Sequence, residues 1–222
     1  KPDVKLTTSQ MPKLGAGQYN AEISSLMAAN PDVLHSSFWG GDLEGFIVQA
    51  QARGLLTRSL TVLTAGETAT HRPNNQIPDG TVIGARGPHG AFAPDSALNT
   101  WLRESYRAKF DADPSYPSYK MAQSILGVKA AYEKAQQANG GKAPSTDQII
   151  SAFEYLKFDS PSGEVEMALG KGHQAIQGTA IGAVKKVDGK ITYVDVRRFE
   201  ASEVNPPEGV KSIDWINNGL KH

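Results

Sequence analysis

Between residues 3 and 64, short apolar runs alternate with amphipathic helical stripes, and this alternation constrains the fold more than any other feature of the sequence. Residues 3–7 read as a strand. Tyr19, Ile23, Leu26 and Met27 recur at helical spacing until Asn30-Pro31-Asp32 stops the helix, and residues 33–37 read as a second strand. Leu43, Phe46, Ile47 and Ala50 mark the next helical stripe, which ends at Gly54, and residues 60–64 form a third strand. A β-α-β-α-β order of this kind builds a parallel sheet covered by helices. Right-handed crossovers then bring the ends of the second and third strands, at Ser37 and Thr64, to the same sheet edge.

Beyond this block, residues 68–80 are polar and carry Pro73 and Pro78, which predicts a surface loop, and residues 81–85 read as a strand. Gly84, Gly87, Pro88 and Gly90 follow closely and mark residues 84–90 as a hinge. Leu98, Trp101, Leu102, Ser105 and Tyr106 outline one helix. Ile125, Val128, Ala131, Tyr132 and Ala135 outline a second, beyond Pro114 and Pro117, and Ser145-Thr146-Asp147-Gln148 caps a third. Residues 179–187 and 190–199 flank Asp188-Gly189, a strong two-residue hairpin signal. In the tail, Ile213, Trp215 and Ile216 suit either a docked terminal turn or a loose end.

Composition narrows the function. The 222 residues carry 23 Lys plus Arg against 23 Asp plus Glu, so no net field gathers nucleic acid or an anionic membrane. The absence of cysteine removes disulfides, thiolate metal sites and cysteine nucleophiles. Gly15-Ala16-Gly17 has Asn20 where a dinucleotide fingerprint needs a third small residue, and no Walker loop, nucleophile elbow or paired metal-ligand spacing occurs. His35 and His173 read as hydrogen-bonded structural residues, and Glu164 and Glu166 as a solvated strand face. No catalytic constellation, metal site or cofactor is therefore expected.

The strand ends are more informative. Ser36-Ser37-Phe38-Trp39-Gly40-Gly41-Asp42 and Thr64-Ala65-Gly66-Glu67-Thr68 place hydroxyl, aromatic and carboxylate groups where α/β sheets bind ligands. Trp39 can stack on a ligand or hold an ammonium, and Glu67 can neutralise that ammonium. Equally, Phe38 and Trp39 can fill the seam between sheet and helix, and Glu67 can cap its loop.

The order of these motifs resembles the type I periplasmic solute-binding proteins of ABC transporters, in the branched-chain amino acid (Leu/Ile/Val) binding-protein family. The resemblance rests first on the helix of residues 19–29 running into Asn30-Pro31-Asp32-Val33-Leu34, and on Phe38-Trp39-Gly40-Gly41-Asp42 leading to Gln49-Ala50-Gln51-Ala52-Arg53-Gly54-Leu55. Asp79-Gly80-Thr81-Val82-Ile83-Gly84, Tyr116-Pro117-Ser118-Tyr119, and Gly163-Glu164-Val165-Glu166-Met167 with Gly172-His173-Gln174-Ala175 follow in the family's order.

The resemblance implies an α/β protein of two Rossmann-like lobes with hinge crossings, its N-terminal portion absent. Residues 1–84 would be an incomplete second lobe and 85–160 part of the first. Residues 161–222 would hold the return crossing, expected between residues 156 and 178, then the hairpin and the tail. The strand of residues 3–7 would pair with a missing N-terminal segment, with another chain or with a rearranged segment. The implied function is capture of a small solute, an amino acid or an aromatic or aliphatic carboxylate, between the lobes and its delivery to permease subunits from a periplasmic location, without catalysis. A sensor or regulator domain of the same fold is the alternative. Trp39, with Phe38 and Gly40 beside it, matches the family's aromatic ligand contact. Thr64 or Glu67, depending on a small gap, matches the residue that holds an amino group. Tyr116 and Tyr119 match contacts of the first lobe, with helix packing an equal explanation for Tyr119.

Overall fold

The computed structural model describes residues 3–69, 76–85 and 87–221. In chain order the elements are α1 (Asn20–Ala29), β1 (Val33–Ser36), α2 (Gly40–Ala52), α3 (Leu55–Arg58), β2 (Leu60–Leu63) and β3 (Val82–Ala85). Next come α4 (Ala97–Phe110), α5 (Tyr116–Ala138), α6 (Thr146–Phe153), β4 (Lys157–Ser160), β5 (Gly163–Leu169) and β6 (Gln174–Ile176). The last are β7 (Thr179–Val187), β8 (Lys190–Phe199), α7 (Ala201–Val204) and α8 (Ser212–Asn217). They divide into two compact units, Lys1–Arg86 with Ile181–Arg197, and Gly87–Ala180 with Arg198–His222. The chain thus passes between the units three times. Its return falls at Ala180–Ile181, just beyond the expected window of residues 156–178, and the span 161–222 is shared between both units.

The first unit holds a five-stranded sheet in the order β1-β2-β3-β7-β8. β1, β2 and β3 are parallel, with Val33 opposite Leu60, Ser36 opposite Leu63 and Leu63 opposite Ile83. Tyr19, Ile23, Leu43, Phe46, Leu63 and Ile83 are buried here, so the stripes read from the sequence are core faces. Asn30 ends α1 in the left-handed region at φ 45°, its N–H bonding the carbonyls of Leu26 and Met27. Asp188 and Gly189 both have positive φ, 50° and 73°, as the tight turn joining β7 and β8 requires.

Residues 3–7 form no strand. Val4 and Leu6 are 75 % and 79 % exposed, and nothing among the described residues pairs with their backbone. A period-2 pattern without a neighbouring strand or a face to cover it has no reason to stay extended in a sheet. The short helix α3 is an element the sequence reading did not contain. Of the polar loop expected over residues 68–80, residues 70–75 lie outside the described residues, as do residue 86 of the expected hinge and His71 and His222.

The second unit packs α5 against α6 and β4. Its core runs through Ala131, Ala135, Ala152 and Leu156, with Phe158 and Met167 against them. Gly127 lets Phe158 approach α5, since a Cβ there would stand 2.8 Å from the ring Cζ. The residues expected to be the buried stripe of this helix are divided. Ala131 and Ala135 are inside, whereas Ile125, Val128 and Tyr132 lie on an exposed face together with Met121. Pro117 does not precede the helix but sits in its first turn, where no intrahelical N–H is needed. Ser145 and Gln148 form the expected capping box of α6. Residues 157–176 form an antiparallel sheet in the order β4-β5-β6, of which the sequence reading contained only the strand face of Glu164 and Glu166 in β5, and Trp215 docks its helix α8 by burying its ring.

Candidate ligand-binding residues

In the first unit, the parallel pairing of β1 and β2 brings their C-terminal ends side by side. Thr64 fastens them: its N–H and its hydroxyl both donate to the Ser36 carbonyl, each at 3.1 Å. Thr64 is exposed, at the edge where open α/β sheets receive ligands. Trp39 follows β1 as the residue capping α2, in extended conformation and 60 % exposed, and Gly40 opens that helix at φ 57°. A ring presented there offers a flat apolar face to a solute.

Phe38 points elsewhere. Half-buried, it packs its ring 5.4 Å from Tyr19 and 5.5 Å from Phe46, and its N–H bonds the Ser36 hydroxyl. Phe38 therefore belongs to the packing with Tyr19 and Phe46 more than to the surface that carries Trp39. Glu67 lies in the 3₁₀ turn Gly66–Thr68 after β2 and is fully buried. That turn is drawn tightly over β3, because a Cβ on Gly66 would stand 2.5 Å from Ile83 Cδ1 and 2.9 Å from Leu63 Cβ. Of the two residues competing for the position after β2, Thr64 faces outward and Glu67 inward.

A hydrogen-bonded frame fixes the start of α2, and the sequence reading missed its role. Fully buried Tyr19 donates its hydroxyl to Asp42 Oδ1 at 2.6 Å, while Asp42 Oδ2 accepts the Gly15 N–H at 2.9 Å. Those two donors hold the Asp42 carboxyl below its usual range, and burial, then Asp42, push the Tyr19 phenol up. Gln49 accepts the Tyr19 N–H and donates to the Gly17 carbonyl. In the sequence Tyr19 reads only as one member of a helical stripe, and the spacing of Asp42 and Gln49, one side chain two turns from the other on α2, was the available signal.

In the second unit, Tyr119 is a core residue: it is fully buried beside Ala93 and Leu102, and its hydroxyl donates to Asn99 Oδ1 at 2.6 Å. Burial raises its phenol. Tyr116, at the first position of α5, is only partly buried and stacks edge-on against His89 at 5.6 Å. The Lys120 ammonium stands 5.7 Å from the Tyr116 ring centre. Among the described residues no group of His, Cys, Asp or Glu side chains is placed to hold a metal ion, and no helix is long and apolar enough to cross a membrane.

A sequence profile of the family described as periplasmic binding protein matches residues 2–190. The chain belongs to this family. This periplasmic binding protein has the type I fold of the family, and solved structures bear the fold out. An amino acid ABC transporter substrate-binding protein from Pseudomonas fluorescens has a TM-score of 0.63 and 21 % identity, covering 85 % of this chain and 50 % of its own. A solute-binding protein of an ABC transporter from Rhodopseudomonas palustris, solved with 4-hydroxybenzoate, has a TM-score of 0.66 and 22 % identity over 87 % of this chain and 51 % of its own. A leucine-binding protein from Thermotoga maritima has a TM-score of 0.62 and 18 % identity over 82 % and 49 %. The chain spans about half the length of these structures. Among curated proteins, none matches.

Proposed function

We propose that this chain is part of the extracytoplasmic substrate-binding component of an ABC importer, which captures a small solute, an amino acid or an aromatic or aliphatic carboxylate, and delivers it to permease subunits. The observation that carries the reading is an exposed tryptophan at the C-terminal end of β1, beside the exposed Thr64 of the neighbouring strand, in a member of the periplasmic binding protein family. Trp39 supplies a stacking face, Gly40 lets the solute approach the start of α2, and the Thr64 hydroxyl supplies a polar contact. In the second unit, taken by itself, Tyr116 is the side chain read as touching a solute, whereas Phe38 packs on Tyr19 and Phe46 and Tyr119 is buried beside Ala93 and Leu102. The solute is bound and released without any bond being made or broken.

The wide choice of solute follows from the place where an ammonium-binding carboxylate would stand. With Thr64 outward and Glu67 buried, the described surface does not demand an amino group. Structures of this fold include one solved with 4-hydroxybenzoate and a leucine-binding protein, and both chemistries fit a tryptophan face. The test is a thermal-shift panel of leucine, isoleucine, valine, benzoate, 4-hydroxybenzoate and 3,4-dihydroxybenzoate on the 222-residue chain. A ligand at about 100 times its dissociation constant adds about 2.7 kcal/mol to the folded state, so at least one member raises the melting temperature in a saturable way. A panel without any saturable shift would contradict the proposal.

A further inference from the structure

Lys120 is electrostatically out of place. It lies within the second turn of α5, near the helix end that repels cations, and that first turn contains no acidic residue. Its described hydrogen bonds go to two neutral amides: the Nζ donates to Gln123 Oε1 at 3.0 Å and to Gln177 Oε1 at 2.7 Å. An ammonium has three N–H groups, so one remains for a further acceptor. No carboxylate among the described residues compensates it, and burial alone pushes its pKa from 10.5 to about 8.

The surroundings are nevertheless built to keep the ammonium where it is. Gly87 yields its space to it: a Cβ there would stand 2.2 Å from Nζ and 2.8 Å from Cε. Gln177 is itself fixed, its side chain donating to the Ser162 carbonyl at 3.3 Å and its backbone carbonyl accepting from Asn205 at 3.2 Å. The Tyr116 ring stands beside Nζ, with His89 edge-on against that ring. A cation with an open donor, held beside an aromatic face with no carboxylate against it among the described residues, lacks what a solute carboxylate would supply.

We propose that Lys120 is the anchor for the carboxylate of the bound solute, with the Tyr116 ring packing on the solute's body. This rests on the reading of the chain as a solute-binding protein and narrows the solute to one carrying an anionic carboxylate. The bound carboxylate accepts the third Nζ proton in a charge-assisted hydrogen bond and offsets both the burial of the ammonium and its position at the helix start.

The test uses trace acetylation of the intact chain by acetic anhydride at pH 9, read by mass spectrometry at each lysine, with and without leucine or benzoate. Leucinamide and benzamide serve as neutral counterparts, and melting curves are taken on the same samples. Restoring Lys120 from about 8 to about 10 lowers its neutral fraction at pH 9 about tenfold, and its labelling with it. The expected result is such protection by leucine or benzoate and none by the matching amide, with solvent-exposed Lys129 unchanged. A carboxylate that raises the melting temperature while Lys120 labels as before overturns the anchor and leaves solute binding standing. Absence of both shift and protection overturns the anchor and the solute-binding reading together. Lys120→Arg, which keeps the charge, retains the benzoate- or leucine-induced shift, and Lys120→Met loses it.

Discussion

Replacing Trp39 by alanine separates a binding residue from a packing residue. A tryptophan side chain offers on the order of 200 Å² of surface. With the residue 60 % exposed, a solute lying on one ring face covers on the order of 60 Å² of it. At about 25 cal/mol per Å² this is about 1.5 kcal/mol, and a stacking or cation–π contribution of about 0.5–1 kcal/mol brings the loss to about 2 kcal/mol. Trp39→Ala therefore weakens binding about 30-fold. Phe38→Ala provides the contrast, because its ring meets Tyr19 at 5.4 Å and Phe46 at 5.5 Å. Loss of those contacts costs about 2–4 kcal/mol of stability. Calorimetric titration with the strongest ligand of the thermal panel, beside melting curves of both variants, gives the two readouts. Unchanged affinity in Trp39→Ala together with a fall in melting temperature as large as that of Phe38→Ala would show that Trp39 is packing.

Gly127→Ala gains helix propensity of about 1 kcal/mol but drives a Cβ to 2.8 Å from the Phe158 ring, so denaturant unfolding should show a net loss of about 1 kcal/mol; a gain would mean that α5 and β4 are not in close contact. Tyr19→Phe removes the main donor that holds Asp42 low, so the Asp42 carboxyl, followed by NMR, should titrate higher, and an unmoved titration would refute the frame beneath Trp39. Lys120, whose folded pKa of about 8 lies below its unfolded value, binds fewer protons in the folded chain between about pH 8 and pH 10. Its contribution to stability therefore rises with pH across that window and is lost as pH falls. The neighbours in contact with its ammonium are Gln123, Gln177 and the Tyr116 ring, and the wild-type slope between pH 8 and pH 10 should exceed that of Lys120→Met. Equal slopes would place the charge in solvent.

The alternation of residues 19–64 was legible because each element there packs on its own unit: the stripes of α1 and α2 are buried, and the β1–β2 register follows from two short apolar runs. The pattern of Val4 and Leu6 misled because periodicity specifies a face without specifying what covers it. The same holds for Ile125, Val128 and Tyr132 on α5, where the smallest residues, Gly127, Ala131 and Ala135, make the close contacts. The alternation of Glu164 and Glu166 showed the strand face of β5, but its partners β4 and β6 were missed because their short runs mix polar or charged residues with apolar ones at a polar surface. For the candidate site, strand ends pointed to Trp39 and Thr64, whereas the burial of Glu67 and Tyr119 and the placement of Lys120 against Gly87 and Gln177 depend on contacts remote in sequence.

Capture without conversion is tested most directly by calorimetric titration of the 222-residue chain with leucine and with 4-hydroxybenzoate, followed by mass-spectrometric recovery of the solute. The expected result is saturable binding of one solute per chain for at least one of the two, and recovery of that solute unchanged. No saturable heat with either solute, or recovery of a chemically altered one, would contradict it.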